Sequence, residues 1–329
     1  MIRKTLLAVF VSVGAFFIFG EAVARFSQPL LHKQSPTYYY RQYMRALTQP
    51  DSRLLWQGKT GALAKLENSE GREVKYQLNS EGWRDKEPES VDRLRNALVL
   101  GDSFSVGLGV EDSETYPSLL ERAFPDMEFW NTSAMGYAPD QYAILLQEHL
   151  ALRDWDLLVI QLSNNDLSDV ERHRWLDHKG MPTKPGVVPT LLAEKIPRWN
   201  LENPSELLNL ARYFAALLSY SKPSSENLGE ALDRLLFSLS ASIERAQKEG
   251  VPVLLLQASD WGENVYGEEW SERYKKDVRG LAKALGVKML EPHSQFTSEE
   301  FLPFPDLHWR LGAHARVAMQ LTDAIKKLK

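Results

Sequence analysis

The chain of 329 residues contains no cysteine. That absence excludes a disulfide framework, cysteine-ligated zinc, iron–sulfur clusters, thioether haem and a thiol nucleophile. It leaves the compartment open, because a chain without thiols suits oxidising and reducing surroundings alike. An excess of positive charge is also lacking: 39 Lys and Arg against 44 Asp and Glu give a net charge of −5. No overall basic footprint for nucleic acid exists, so none is expected as a partner. The seven histidines show no His-Glu-x-x-His spacing, and neither a catalytic metal nor a cofactor is expected. With 43% hydrophobic and 25% charged residues, the bulk of the chain suits a globular protein with a real core.

Long apolar runs are scarce, and the mean hydropathy is −0.35. One segment stands apart. Arg3 and Lys4 precede an uncharged run from Thr5 to Gly20, which Glu21 breaks before Ala22-Val23-Ala24. Taken to Ala24 it reaches about 20 residues, or roughly 30 Å as a helix, enough to cross a bilayer core. Its place behind two basic residues at the start of the chain argues against a buried core helix. Ala22-x-Ala24 has the form of a signal-peptidase site, so residues 1–24 read as a cleaved signal segment or as an uncleaved anchor. The adopted expectation is the anchor, with its N-terminus in the cytoplasm, as Arg3 and Lys4 favour. Both readings carry the rest of the chain across the membrane.

Residues 25–94 are polar and read as a connecting region, either a stalk or a small added subdomain. The Tyr38-Tyr39-Tyr40 cluster leaves a ligand-binding aromatic surface as the alternative. Val74-Lys75-Tyr76-Gln77-Leu78 alternates as an edge strand does. From residue 95 the pattern changes. Short apolar runs at 97–100, 127–130, 157–160 and 253–256, with a weaker one at 287–290, read as buried strands. Helical spacing fills the gaps, as in Leu228, Leu232, Leu235, Leu239 and Ile243, and again in Val317, Leu321, Ala324, Ile325 and Leu328. Such alternation predicts an α/β domain over 95–329, flavodoxin-like, with three α/β/α layers and a mainly parallel sheet of about five strands. Residues 167–225 break it with six prolines and one good helix near 205–220, and read as an insertion.

Ligands of open α/β sheets bind at the carboxyl ends of the strands. The first strand delivers Gly101-Asp102-Ser103 there, the second Asn131 to Tyr137, the third Ser163-Asn164-Asn165-Asp166. Before the final helix comes Asp306-Leu307-His308. One reaction class uses this set. Acyl transfer needs a hydroxyl nucleophile, a histidine to take its proton, a carboxylate to orient the imidazole, and donors aimed at the oxyanion. Ser103, His308 and Asp306 fill the first three roles. The Ser103 and Gly136 amides and the Asn165 side chain are candidates for the fourth. Each piece alone is commonplace; their order at successive strand ends is not. A phosphate-binding loop at Gly101–Gly109 is excluded by its spacing, its lack of a Lys-Ser or Lys-Thr ending, and the charge of Asp102. A Gly-x-Ser-x-Gly elbow is absent. Asp260 and Trp261, after the fourth strand, are candidate substrate contacts, while His149 and His314 read as structural and His173 and His178 as surface residues.

At these residues the chain resembles the SGNH, or GDSL-type, esterase and acyltransferase superfamily. Gly101-Asp102-Ser103 is similar to the block holding the nucleophile, Gly136 to the oxyanion glycine, Asn165-Asp166 to the Asn-Asp of the third block, and Asp306 with His308 to the last. The resemblance assigns the oxyanion role to Asn165 rather than Asn164. Two departures stand out: Ser163 replaces the usual glycine of Gly-x-Asn-Asp, and Asp and His are two residues apart rather than three, as in members resembling alginate-type O-acetylation proteins. Leu78 to Asp85, and Glu21 and Arg25, resemble membrane-anchored bacterial members. The resemblance implies a serine carboxylester hydrolase (deacylase) or O-acyltransferase acting on cell-envelope or exported polysaccharide. Its partners would be an acylated carbohydrate or other ester, the inner membrane through a single pass at residues 5–24, and a membrane-bound acyl-transfer protein. The catalytic domain would be periplasmic. The alternative is a non-catalytic carbohydrate-binding or assembly component that keeps the fold.

Overall fold

The computed structural model describes residues 19–23, 38–88, 95–172, 224–258, 267–303 and 306–328. Most of the expected anchor, the expected helix near 205–220, His173, His178, Asp260 and Trp261 lie outside the described residues. Among the described residues, no helix is long and apolar enough to cross a membrane.

The main element is a five-stranded parallel sheet of β5 (Arg95–Leu100), β6 (Met127–Asn131), β7 (Leu157–Leu162), β8 (Val253–Gln257) and β9 (Lys288–Leu290), in the spatial order β6-β5-β7-β8-β9. Successive side chains of a strand point to opposite faces, and here both faces are buried. Leu98 and Leu100 therefore enter one core, with Leu158, Ile160 and Leu255, while Ala97 and Val99 enter the other, with Val159, Leu254 and Leu256. The first core is covered by α4 (Pro139–Leu150), α5 (Asp166–Arg172), α6 (Ser225–Lys248) and α7 (Glu268–Ala284). The second is covered by α3 (Tyr116–Ala123) and α8 (Leu311–Lys326). The three-layer α/β/α arrangement and the parallel sheet agree with the sequence reading. So do the two apolar stripes, except Leu328, which is 42% exposed at the frayed end beyond α8.

Residues 38–88 form α1 (Tyr38–Leu47) and two antiparallel hairpins, β1 (Thr48–Asp51) with β2 (Leu55–Gly58) and β3 (Leu63–Glu67) with β4 (Glu73–Gln77). Val74 and Tyr76 alternate inward and Glu73, Lys75 and Gln77 outward along β4. The inward set joins the first core, as do Tyr39, Tyr43, Met44, Leu47, Leu54 and Trp56. Each such large side chain removed from water contributes about 1.5–3 kcal/mol, so this region is held to the α/β domain by burial rather than tethered beside it.

Strand order reverses at β5, whose chain neighbours β6 and β7 lie on opposite sides of it. The helices that follow β5 and β7 cover opposite faces of the sheet, and in such sheets ligands bind at the carboxyl ends of the strands where this divergence occurs. Ser103, Gly136 and Asn165 follow β5, β6 and β7 and so lie beyond the carboxyl ends of these strands.

Candidate active site

The chain leaves β5 through Gly101 and turns at once into the short helix α2 (Ser103–Val106). A side chain at Gly101 would run into Ser105 Oγ and into Gln161 Oε1 at 2.6 Å, so the turn requires glycine. Asp102 caps α2 by accepting from the Phe104 N–H at 2.9 Å. Gln161, a polar residue within the apolar run of β7, accepts from the Asp102 N–H (3.0 Å), the Ser105 N–H (3.2 Å) and Ser105 Oγ (2.8 Å). The nucleophile turn is thus tied to the neighbouring strand by one amide oxygen. Ser105 is fully buried, within 2.6 Å of the Tyr116 hydroxyl, and takes no part in the opening where Ser103 stands.

Ser103 Oγ lies 2.8 Å from His308 Nε2, and His308 Nδ1 lies 2.6 Å from Asp306 Oδ1. The three side chains come from segments about 200 residues apart in sequence. Leu307, between Asp306 and His308, has a left-handed φ of 60°, a conformation costing about 1–2 kcal/mol for an L residue. This turn brings two side chains separated by a single residue to the same side. The strain is offset by anchors on either side. The Leu302 N–H donates to the His308 carbonyl at 2.7 Å, Phe301 bridges Trp309, and the His308 ring packs on Phe104 with centroids 5.0 Å apart. Asp306 is 2% exposed and His308 9%, which leaves the imidazole edge open towards Ser103 and the carboxylate sealed behind it.

Two backbone amides complete the picture. The Ser103 and Gly136 N–H groups make no hydrogen bond among the described residues, and both residues are buried. An amide without a partner in a buried residue is uncommon, and one carried by the nucleophile itself is suited to an anion. The loop carrying Gly136 is laid against the nucleophile turn: the Thr132 N–H donates to the Val99 carbonyl (3.1 Å), the Ala134 N–H to the Gly101 carbonyl (3.2 Å), and Asn131 Nδ2 to the Ser105 carbonyl (2.9 Å). Gly136 has φ 71°, which a side chain adopts only under strain, and the Tyr40 hydroxyl stands 3.0 Å from where a Cβ would be.

Of the two asparagines, Asn164 is fully buried and structural, donating to Ser271 Oγ at 2.8 Å and accepting from Gln257 Nε2 at 2.9 Å. Asn165 is half-buried, and its Nδ2 donates to Asp169 Oδ2 at 2.7 Å and reaches Asp102 Oδ2 at 3.4 Å. Ser163, standing where the resembling family has glycine, is placed by its hydroxyl 2.8 Å from Asp102 Oδ2 and 2.5 Å from Asn165 Oδ1. It therefore links the nucleophile turn to the asparagine. Burial raises the pKa of Asp102, and that of Asp166 well above the usual carboxylate range, the Asp166 shift reinforced by the charge of Asp102.

Two residues of the upstream segment hold this site and were not assigned any role from sequence. Arg84, 2% exposed, donates from Nη1 to the carbonyls of Val106 (2.9 Å) and Gly107 (2.7 Å), and from Nη2 to those of Lys75 (3.1 Å) and Val110 (2.8 Å). Its guanidinium also lies over the Tyr76 ring, 4.3 Å from the centroid. Asp85 accepts from the Asn131 N–H at 2.9 Å and so fixes the start of the Gly136 loop. Burial pushes the Asp85 carboxyl well above its ordinary range. The signal for Arg84 was its company, Gly82-Trp83-Arg84-Asp85, in which a charged pair sits amid turn and aromatic residues.

His314 is buried under the site, its Nδ1 accepting from the Tyr116 N–H at 3.2 Å. Burial, aided by the charges of Arg84 and His308, pulls its pKa down to about 3. The unfolded chain binds a proton here as the pH falls through about 6.5, while the folded chain stays neutral. The His314 contribution to stability is thus complete above pH 6.5 and lost as the pH falls from there towards 3. His314→Gln removes this dependence. The stability gap between the parent and this variant narrows by up to about 1.4 kcal/mol per pH unit below pH 6, read from urea unfolding at pH 7 and 5. A gap that stays constant with pH would contradict a neutral buried His314.

No family model matches the sequence, and no curated protein matches it. Solved structures do resemble the fold. One described as TesA is 19% identical and aligns over 71% of this chain and 100% of its own, with TM-score 0.46. The psychrotrophic esterase EstA from Pseudoalteromonas sp. is 14% identical over 71% and 98%, with TM-score 0.44. AlinE4, an SGNH-hydrolase family esterase, is 17% identical over 73% and 98%, with TM-score 0.39. The likeness is distant.

Proposed function

We propose that this chain is a serine carboxylester hydrolase or O-acyltransferase. The observation that carries the reading is the continuous relay from Ser103 Oγ through His308 to Asp306, at 2.8 and 2.6 Å. Ser103 Oγ attacks the ester carbonyl while His308 Nε2 takes its proton. Asp306 holds the imidazole with Nδ1 protonated and stabilises the imidazolium. The carbonyl oxygen becomes an oxyanion and receives the Ser103 and Gly136 N–H groups, with Asn165 Nδ2 as a third donor once it turns from the Asp102 and Asp169 carboxylates. Collapse of this adduct expels the alcohol, which takes the proton from His308, and leaves an acyl-serine. Water or a sugar hydroxyl then gives its proton to His308 and attacks the acyl carbon. Collapse of this second adduct breaks the acyl–Oγ bond, Ser103 Oγ takes the proton back from His308, and the acid or the new ester is released.

An acylated cell-envelope or exported polysaccharide is the proposed substrate, met in the periplasm by a domain anchored in the inner membrane through residues 5–24. This part rests on the uncharged segment behind Arg3 and Lys4 and on the family resemblance. A transferase would receive its acyl group from a membrane-bound partner.

The test uses a fluorophosphonate that labels activated serines, together with an aryl acetate as substrate. Labelling confined to Ser103 and lost on its replacement supports the reading; an unlabelled protein that still binds glycan favours a non-catalytic module. Asn165→Ala is expected to lower kcat by about 10²–10³-fold if Nδ2 meets the oxyanion, with little change in KM. Unchanged kcat would remove Asn165 from the oxyanion site.

A further inference from the structure

The geometry points to Trp56, on the β1–β2 hairpin outside the parallel sheet, as the positioning residue that aims the Gly136 amide at the oxyanion. The inference rests on the esterase reading above. Trp56 is 1% exposed, and its indole Nε1–H donates to the Met135 carbonyl at 3.0 Å. That carbonyl and the Gly136 N–H belong to one planar trans peptide and point in opposite directions. A hydrogen bond that holds the oxygen on the Trp56 side therefore holds the N–H on the other side.

An external anchor matters here because of the residue type. A peptide unit next to glycine flips at low cost, since glycine populates positive and negative φ about equally. Gly136 sits at φ 71°, and its N–H has no acceptor of its own among the described residues to keep it in place. Once flipped, the amide would be lost to the oxyanion, and the Met135 carbonyl would present the negative end of its dipole instead. Trp56 is itself held against this loop. The Tyr137 hydroxyl donates to the Trp56 carbonyl at 2.6 Å, the two rings lie 5.6 Å apart, and Gln141 Nε2 donates to the Leu54 carbonyl at 2.7 Å. The hairpin thus grips the loop at Met135 and Tyr137 and the first turn of α4 at Gln141, on both sides of the peptide that carries the Gly136 N–H.

The effect should fall on the transition state rather than on binding, because the charge that the amide meets develops only as the adduct forms. Trp56→Phe removes the indole donor and keeps an aromatic ring. In the full chain we expect kcat for an aryl acetate to fall about 10- to 100-fold, with KM within about threefold of the parent, a loss typical of a misplaced catalytic group. Fluorophosphonate should label Trp56→Phe to the same final fraction as the parent, but more slowly. Partial unfolding would instead reduce the labelled fraction and leave the rate per site unchanged. Tyr137→Phe, which loosens the anchor of Trp56 without touching the Met135 carbonyl, is expected to show the same kcat-selective loss in weaker form. It carries the test if Trp56→Phe does not fold. A kcat within twofold of the parent in the folded variant overturns the inference, as does a drop in labelled fraction equal to the drop in kcat. A parent chain that is not labelled at Ser103 overturns the esterase reading instead.

Discussion

Replacement of Ser103 by alanine is expected to lower aryl-ester turnover by about 10⁴-fold or more, because no other group can take over the attack on the carbonyl. The structure sharpens the contrast with its neighbour. Ser105 lies two residues further along α2, yet its hydroxyl is enclosed between Tyr116 and Gln161 at 2.6 and 2.8 Å. Ser105→Ala should cost stability, about 1–3 kcal/mol for the buried groups left unpaired, while the labelled fraction of folded protein stays that of the parent. Ser103→Ala should do the reverse, leaving the melting temperature nearly unchanged and abolishing labelling. Turnover in Ser103→Ala equal to that of the parent would end the proposed mechanism.

Replacement of Arg84 by alanine is expected to have the largest effect on stability, about 3–5 kcal/mol, as several buried carbonyls lose their donor at about 1–3 kcal/mol each before relaxation. The guanidinium is sealed from water and serves the carbonyls of Lys75, Val106, Gly107 and Val110. Its ion pair with Asp112 is long, at 4.0 Å, with the Asp112 side chain 57% exposed, so carbonyl dipoles and the Tyr76 ring carry most of its stabilisation. Truncation would strand those carbonyls, and the loop following the nucleophile helix would lose its clamp. A melting temperature lower by roughly 10 °C follows for a chain of this size. Arg84→Lys should recover less than half of the loss, since one ammonium cannot reproduce a planar fork reaching carbonyls on two sides. A melting temperature for Arg84→Lys equal to that of the parent would refute the clamp.

The strands of the parallel sheet were legible because burial on both faces forces unbroken apolar runs, such as Leu157 to Ile160. The long helices α6 and α8 were legible because one buried face repeats at helical spacing. Helix α7 was not singled out: it carries Tyr274 and Val278 inward but is otherwise charged, which dilutes the stripe. Residues 38–88 read as a connecting region because their polar outer face hides the inward set of Trp56, Val74 and Tyr76. Half of an alternating strand is polar by construction, and nothing in it names the surface that the other half will meet. The role of Gln161 is hidden for a related reason. A single polar residue in a buried strand signals a hydrogen-bond partner but not which one.

The sequence by itself determined which chemistry is available. The lack of cysteine excludes a thiol nucleophile, and Ser103, Asp306 and His308 stand at the ends of elements where an α/β sheet presents its ligands. These inferences depend on residue type and on local periodicity, which a linear chain displays. Tertiary structure alone decided which groups meet. It set the 2.8 Å contact between Ser103 and His308, and it enclosed Asn164 while leaving Asn165 half-buried. It also brought Trp56 and Arg84, from outside the sheet domain, onto the loops that aim and hold the site. Such contacts join residues tens to hundreds of positions apart, and their existence depends on packing and on the direction of single peptide units. No local pattern encodes that.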